Sequence, residues 1–562
     1  MLLVAAAALG WDLGGYRLLD PDEGRNAEVA REMAATNDYL VPHLDGLPYL
    51  DKPVVYFAAA ATTMEVLGPT EVAARLPAYL ATLATIGLLV WFARRRWGPV
   101  AGWLAGIAVA TMPMVLAYAR TAIFDSTLSL FITAAILGFA EQRPVVAWAA
   151  LGAGALTKGP IAIAIPLAAV LPYAWLTGQS ARRFFPWRGL LVFALVALPW
   201  FLAVSARIPE FPHYVFVRET FERMTTHSFH RSAPFWYYLP IIPVAAFPWI
   251  VPALARLGGG RLRWAWEARH VNPSAREAIF LASWVLGPLV LLSLNQSKLP
   301  QYVLPLMPAV ALAAARTLTR QSPGSGARAY TWIAAVLIAA LLASIAWFRR
   351  ADGTWTPLTP AEHDAIPPAV IGVAVSLLAS AIVVRLAAGR RDIDLAAAGY
   401  AVLVIALSFV IRNLMTAVGD DRSAAALAQA VRGRGQVMGI GAYPPSLPFY
   451  LQHPVPVATS HGRELTSNYI ADYVDRYRAV PGSPLLSPDA WRDALARCAE
   501  PTVFVVRNGD QAVRSTLAPL PVLFADRRYV AYGPCTTSTQ NNNSAIRIPQ
   551  SAIGVGPGAG AP

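Results

Sequence analysis

Cysteine is nearly absent: Cys498 and Cys535 are the only two in 562 residues. That excludes a disulfide-rich scaffold and a four-cysteine metal site. Charge is scarce too, at 14% of residues, where a soluble protein usually carries about 25%. An ordinary cytosolic enzyme is excluded on that ground. Acids are the scarcer sign, 33 against 46 Lys and Arg, which leaves a net charge of +13. What fills the chain is apolar. Hydrophobic residues make up 56% and mean hydropathy is +0.45, which excludes disorder over most of the length.

These properties describe a polytopic α-helical membrane protein, counted in spans of about 20 apolar residues. Thirteen apolar stretches can be placed, at 1–17, 76–93, 99–117, 125–140, 144–157, 160–177, 189–206, 236–255, 277–294, 302–317, 329–348, 367–386 and 394–416. The first lacks the basic segment of a cleavable signal and reads as a span. Arginine clusters give the sidedness. Arg94, Arg95 and Arg96 follow the second span, and Arg182, Arg183 and Arg188 follow the sixth. Arg256, Arg261, Arg263 and Arg269 follow the eighth; Arg316, Arg320 and Arg328 surround the loop after the tenth; Arg385, Arg390 and Arg391 follow the twelfth. Every cluster follows an even-numbered span, so those loops and the N-terminus are expected to be cytoplasmic. The positive charge then reflects topology and calls for no nucleic-acid partner.

Outside lie two long loops, 18–75 and 207–235, with amphipathic helices expected at 29–36 and 54–66 on the membrane interface. Residues 1–416 form the transmembrane part. Residues 417–535 read as an extracytoplasmic α/β domain, because helices at 424–432 and 489–497 alternate with strands at 436–441, 454–458, 502–507 and 528–532. From 536 to 562 the chain is rich in Ser, Asn, Gly and Pro and reads as a disordered tail. Both cysteines fall in the α/β part, on the oxidising side, and are expected to pair.

The chemistry-bearing residues crowd the outside loops. The first holds Asp20-Pro21-Asp22-Glu23-Gly24-Arg25, then Glu28 and Arg31, and later Leu50-Asp51-Lys52-Pro53. A dense charge run beside a membrane can be a solvated loop. Carboxylates beside an Arg and a Lys also suit an anionic phosphate and acid–base work. The next outside turns carry Arg120 and Asp125, then Lys158 in Thr157-Lys158-Gly159-Pro160, and later Lys298 in Ser297-Lys298-Leu299-Pro300-Gln301-Tyr302. The loop before the eighth span carries His213, Arg218, His227, His230 and Arg231. Five outside turns thus present a cation against the usual trend, which suggests one shared anion at headgroup depth. The histidine spacing matches no metal motif. No cofactor is required by the sequence; a divalent metal stays open, with Asp51 and His230 as its candidate ligands.

Asp22-Glu23-Gly24-Arg25 with Glu28, the Asp51-Lys52-Pro53 block, Ala74-Arg75-Leu76-Pro77, Arg120 with Asp125, Lys158-Gly159-Pro160 and Ser297 to Tyr302 with Pro305 stand in that order. In this order the set resembles the GT-C class of membrane glycosyltransferases, in the bacterial aminoarabinose lipid A transferase and protein O-mannosyltransferase-like family. The resemblance is strongest over 18–310. It implies a GT-C fold and transfer of a sugar from a polyprenyl-phosphate donor to a lipid A, glycan or protein acceptor. It places that reaction at the periplasmic face of the bacterial inner membrane, by a monomer. By matching position, Asp22 is the acid at the acceptor and Asp125 the second acid of the site. Arg25 and Lys52 match residues near the lipid-linked phosphate, with Lys298 and Tyr302 in a further motif beside it. Arg120 and Lys158 join the phosphate set, and Glu23, Asp51, His230 and Arg231 complete the candidates. Two positions depart from the family pattern: Asn26 replaces a usual Tyr, and Asp51 replaces a usual Glu. The reading from another class is a transporter or lipid flippase, which should carry ionisable residues at midspan. Here they stand at the span ends.

Overall fold

The computed structural model describes residues 2–222, 233–255, 260–320, 326–350 and 358–535. Within them the apolar stretches are helical, because a backbone in lipid must satisfy its own hydrogen bonds. Seven helices are long and apolar enough to cross a bilayer: Glu71–Trp97, Ala181–Arg207, Pro273–Leu294, Pro300–Arg320, Ala327–Ile345, Pro360–Arg390 and Ile393–Val410. Pro99–Ala110 and Pro113–Ala119, bent by 67°, make an eighth if taken as one span. Pro113 explains the bend, since the residue before a proline avoids helical geometry, and Met112 is extended at ψ 135°.

The expected thirteen is therefore not reached by helices of spanning length among the described residues. Asp125–Ala140, Pro144–Lys158 and Ile161–Leu176 run for only 16, 15 and 16 residues. The first stretch is helical only over Leu2–Gly10, and the one at 236–255 divides into Tyr238–Ala245 and Ile250–Leu254. Two of the short helices stop where Asp125 meets Lys158. Their ends make room for a cavity instead of extending the span.

The first long loop carries a hairpin of β1 (His43–Leu44) and β2 (Leu47–Pro48). After Arg422 the chain builds a six-stranded sheet from β3 (Gln436–Ile440), β4 (Val457–Ala458), β5 (Leu485–Leu486), β6 (Thr502–Arg507), β7 (Val522–Ala525) and β8 (Tyr529–Cys535). The order is β5-β4-β3-β6-β8-β7; the β5 to β6 pairings are parallel and those of β8 antiparallel. One face, with Val437, Val457, Val503 and Val505, packs on Val29, Met33, Leu44 and Phe57 of the first loop. The other, with Ile440, Phe504 and Val506, packs on Trp491 and Leu517. Burial on both faces explains why β6 reads Thr-Val-Phe-Val-Val without alternation.

The two helices expected on the membrane interface are Asp22–Thr36 and Val55–Leu67. The first packs inside the protein. Residues on all its sides are buried, because its acids find partners inside the protein. Glu28 pairs with Arg31 at 2.6 Å, and Glu32 accepts from the amides of Asp45 and Gly46 at 2.5 and 2.9 Å.

Side chains latch the α/β part to this loop. Asp45 accepts from the Val455 amide at 2.7 Å, and Asp20 accepts from the Ser446 hydroxyl at 2.9 Å. Burial pushes the Asp20 carboxyl up to about 7, against the lowering effects of Arg528 and Ser446. At the far edge, Cys498 and Cys535 are bonded, with Cα atoms 5.9 Å apart.

Two tests follow from this packing. In unreduced protein both thiols should resist alkylation, and replacing the pair with serine should destabilise the α/β part by about 4 kcal/mol; a 37-residue separation makes the bridge that valuable. Equal labelling with and without reductant would show that the bridge is absent. The second test concerns Asp20, whose folded value lies above its unfolded value of about 3.9. Its proton is held more tightly in the folded state, so the associated stability is intact below about pH 4 and lost as pH rises through 7. The melting temperature of Asp20→Asn should therefore gain on the parent between pH 5 and pH 8. A constant difference across that range would remove Asp20 as the titrating group.

Candidate active site

Two cavities meet where the first loop, the helix ends and the α/β part come together. One is an apolar groove lined by Leu128, Ile161, Ile165, Leu291 and Leu292. The other is a polar chamber of about 370 Å³, lined by Asp22, Arg25, Tyr49, Arg218, Arg463 and Asp472 among others. Asp51, Lys52, Asp125, Lys158, Gln301 and Tyr302 line both. A third cavity, of about 520 Å³, lies on the other side of Asp22, with Pro21, Asp22, Ile123 and Gln301 in common with the chamber. The chamber and the third cavity both have the size of small-molecule sites.

Helix ends set the geometry at the groove's mouth. Asp125 is the first residue of its helix and Lys158 the last of its own, positions that the helix dipole favours for an anion and a cation. Their side chains meet at 2.6 Å, and Asp125 Oδ2 is buried with no partner among the described residues. Lys158 Nζ also stands 4.8 Å from the Phe124 ring and 4.6 Å from the Tyr302 ring. Gly159, at φ +69°, turns the chain away immediately after Lys158.

Asp22 opens its helix and is bonded by Arg25 Nη2 at 2.6 Å. Arg25 also donates through Nη1 to the Thr466 carbonyl at 2.9 Å, which ties the site to the α/β part. Nearby charge holds the Arg25 guanidinium above its ordinary value, although burial works the other way. Asp51 is fully engaged. Tyr214 donates its hydroxyl to it, and the amides of Asn468 and Tyr469 donate at 3.1 Å each. Lys52 donates to the Asp51 carbonyl.

The structure thus brings together Asp22, Arg25, Asp51, Lys52, Asp125, Lys158 and Tyr302. It separates the rest. Glu23 is buried, where it binds Arg75 and the amides of Leu19 and Ala122; it borders the third cavity and neither the chamber nor the groove. Arg120 lines the third cavity, not the chamber, and is spent on the carbonyls of Trp11 and Asp12 at 2.5 and 3.3 Å. Lys298 lines none of the three cavities. It is buried against the Asn295 carbonyl, and burial lowers its pKa. As a metal ligand Asp51 is already occupied by protein donors, and among the described residues no group of three His, Cys, Asp or Glu could hold an ion. His230 and Arg231 lie outside the described residues.

Sequence reasoning gave no role to Arg218 and missed the α/β segment that holds Arg463, Thr466, Asn468 and Asp472. Arg218 pairs with Asp472 at 2.9 Å. The segment lies more than 400 residues from Asp22 in the chain, and no local pattern marks it. Only the packing of the sheet on the first loop brings it there.

Residues 51–202 match the family described as dolichyl-phosphate-mannose-protein mannosyltransferase. The chain is 32% identical over 333 residues to the undecaprenyl phosphate-alpha-4-amino-4-deoxy-L-arabinose arabinosyl transferase of Aeromonas salmonicida, covering 56% of this chain and 59% of that protein. It is 34% identical over 334 residues to the enzyme of the same name from Edwardsiella ictaluri, covering 56% and 58%. The match therefore spans less than two thirds of these curated relatives. The crystal structure of ArnT from Cupriavidus metallidurans bound to undecaprenyl phosphate superposes with a TM-score of 0.78 at 26% identity, over 95% of this chain and 97% of that one. The similarity of this chain to the GT-C membrane glycosyltransferases of the aminoarabinose transferase and protein O-mannosyltransferase-like family thus runs from the order of its motifs to its three-dimensional fold.

Proposed function

We propose that the chain is a glycosyltransferase that moves a sugar from a polyprenyl-phosphate donor to a lipid, glycan or protein acceptor. The observation that carries this reading is the junction of an apolar groove with a polar chamber at Lys52, Lys158 and Tyr302, beside a carboxylate that also borders a third cavity. The prenyl tail occupies the groove. The phosphate then lies at the groove's mouth, within reach of Lys52 and Lys158, and the sugar lies in the chamber against Arg25 and Asp22. The acceptor approaches Asp22 from the third cavity.

Transfer requires the acceptor oxygen to attack the anomeric carbon as the bond from that carbon to the phosphate oxygen breaks. Asp22 takes the proton from the acceptor, and Arg25 orients Asp22 through its 2.6 Å bond. Lys52 and Lys158 stabilise the charge that gathers on the departing phosphate. Asp125 holds Lys158 in place. A single displacement inverts the anomeric configuration.

The wider organisation belongs to the same proposal: thirteen spans within 1–416, an extracytoplasmic α/β domain at 417–535, a tail at 536–562, and a cytoplasmic N-terminus. The chain works as a monomer in a bacterial inner membrane, with the chamber on the periplasmic side. Arginine clusters after the even-numbered stretches and the ArnT-like fold support this reading. Nothing in the structure favours the transporter or flippase reading, since the ionisable residues of the chamber stand at helix ends and in loops.

In a membrane transfer assay Asp22→Asn should lower turnover by about 100-fold or more, the scale of general-base loss, with the protein still monodisperse. Near-normal turnover would remove Asp22 as the base. Lys52→Ala and Lys158→Ala should each weaken binding of bare polyprenyl phosphate roughly tenfold, as the loss of a charge-assisted bond predicts. Unchanged affinity in both would place the phosphate elsewhere.

A further inference from the structure

The cations that line the chamber are Arg25, Lys52, Lys158, Arg218 and Arg463. The first four have partners inside the protein. Arg25 is on Asp22, Lys52 on the Asp51 carbonyl, Lys158 on Asp125 and Arg218 on Asp472. Arg463 differs, because its guanidinium makes no hydrogen bond or ion pair among the described residues. It is exposed to the chamber on a 3-10 turn, Arg463–Leu465.

That turn is held from both sides. Thr459 Oγ1 accepts from the Gly462 amide at 2.9 Å and donates to the buried Glu464 carboxylate at 2.8 Å. Beyond the turn, the Thr466 carbonyl is fixed by Arg25. Five donors on a planar guanidinium are therefore offered to the chamber from a braced backbone, the arrangement a positioned ligand contact needs.

Position along the substrate identifies the ligand. The groove and the chamber share Lys52 and Lys158, and Arg463 lines the chamber but not the groove. A donor whose tail fills the groove meets Lys52 and Lys158 with its phosphate, and what reaches farther into the chamber is its sugar. We propose that Arg463 is a substrate-binding residue supplied by the α/β part, which grips oxygen atoms of the transferred sugar, hydroxyl or carboxylate. An ammonium group on that face of the sugar would meet a like charge, so Arg463 also selects against it. This inference rests on the glycosyltransferase reading above.

The test measures binding of two ligands to the full-length protein in detergent: a polyprenyl phosphate bearing a neutral hexose, and the same polyprenyl phosphate without sugar. The parent should bind the first more tightly. Arg463→Gln should weaken binding of the sugar-bearing ligand roughly tenfold or more and leave the bare lipid unchanged, and Arg463→Lys should restore part of the loss. Arg492→Ala, at an exposed ion pair elsewhere in the same domain, should alter neither. Equal loss for both ligands would make Arg463 a phosphate contact, and no loss for either would remove it from the site; each result overturns the proposal. A parent that binds neither ligand would overturn the glycosyltransferase reading itself, and the proposal with it.

Discussion

The site depends on one buried ion pair. Glu23 and Arg75 are both without solvent exposure and meet at 2.9 Å through two hydrogen bonds. Such a pair repays its desolvation only if the remaining donors and acceptors are satisfied, and here they are. Glu23 takes the amides of Leu19 and Ala122, while Arg75 donates to the carbonyls of Leu13, Tyr16 and Arg17. Four segments are thereby tied together: the chain before the first loop, the helix that opens with Asp22, the helix Glu71–Trp97, and the turn that ends at Asp125. Asp22 is adjacent to Glu23 and Asp125 lies three residues past Ala122. Asp22 and Asp125 take their positions from an acid whose own carboxylate is spent inside the protein.

That division explains what could be read from the sequence. The order of Asp22, Arg25, Lys52, Asp125, Lys158 and Tyr302 was legible because each sits at a helix end or tight turn, where local punctuation places it. The roles of Glu23, Arg120 and Lys298 were not. Arg120 and Lys298 are of types that suit phosphate binding and Glu23 is of a type that suits acid–base work, and only their partners set them apart: Glu23 faces Arg75, Arg120 faces backbone carbonyls, and Lys298 faces Asn295. Asn26, a departure from the family pattern, likewise turns inward and donates to the Ala122 carbonyl at 3.0 Å, reinforcing the same junction.

The α/β part was legible as alternating helices and strands, yet its contribution to the chamber was not. A sheet buried on both faces advertises its core through Val-rich strands, but which face meets which partner depends on contacts between residues about 400 positions apart, such as Asp45 with Val455 and Arg25 with Thr466. Among the described residues, fewer helices reach spanning length than there are apolar stretches, for a related reason. Helices that end at a cavity look like spans in composition, and hydropathy does not register that they stop early.

One of those short helices has a consequence for the surrounding lipid. Ile161–Leu176 contributes Ile161, Ala164 and Ile165 to the groove wall, and its 16 residues extend about 24 Å at 1.5 Å per residue. A typical hydrocarbon core is about 30 Å thick. Lipid that borders this wall must thin or tilt to match it, at a modest cost per ångström. The mismatch, about 6 Å, is set by helix length alone.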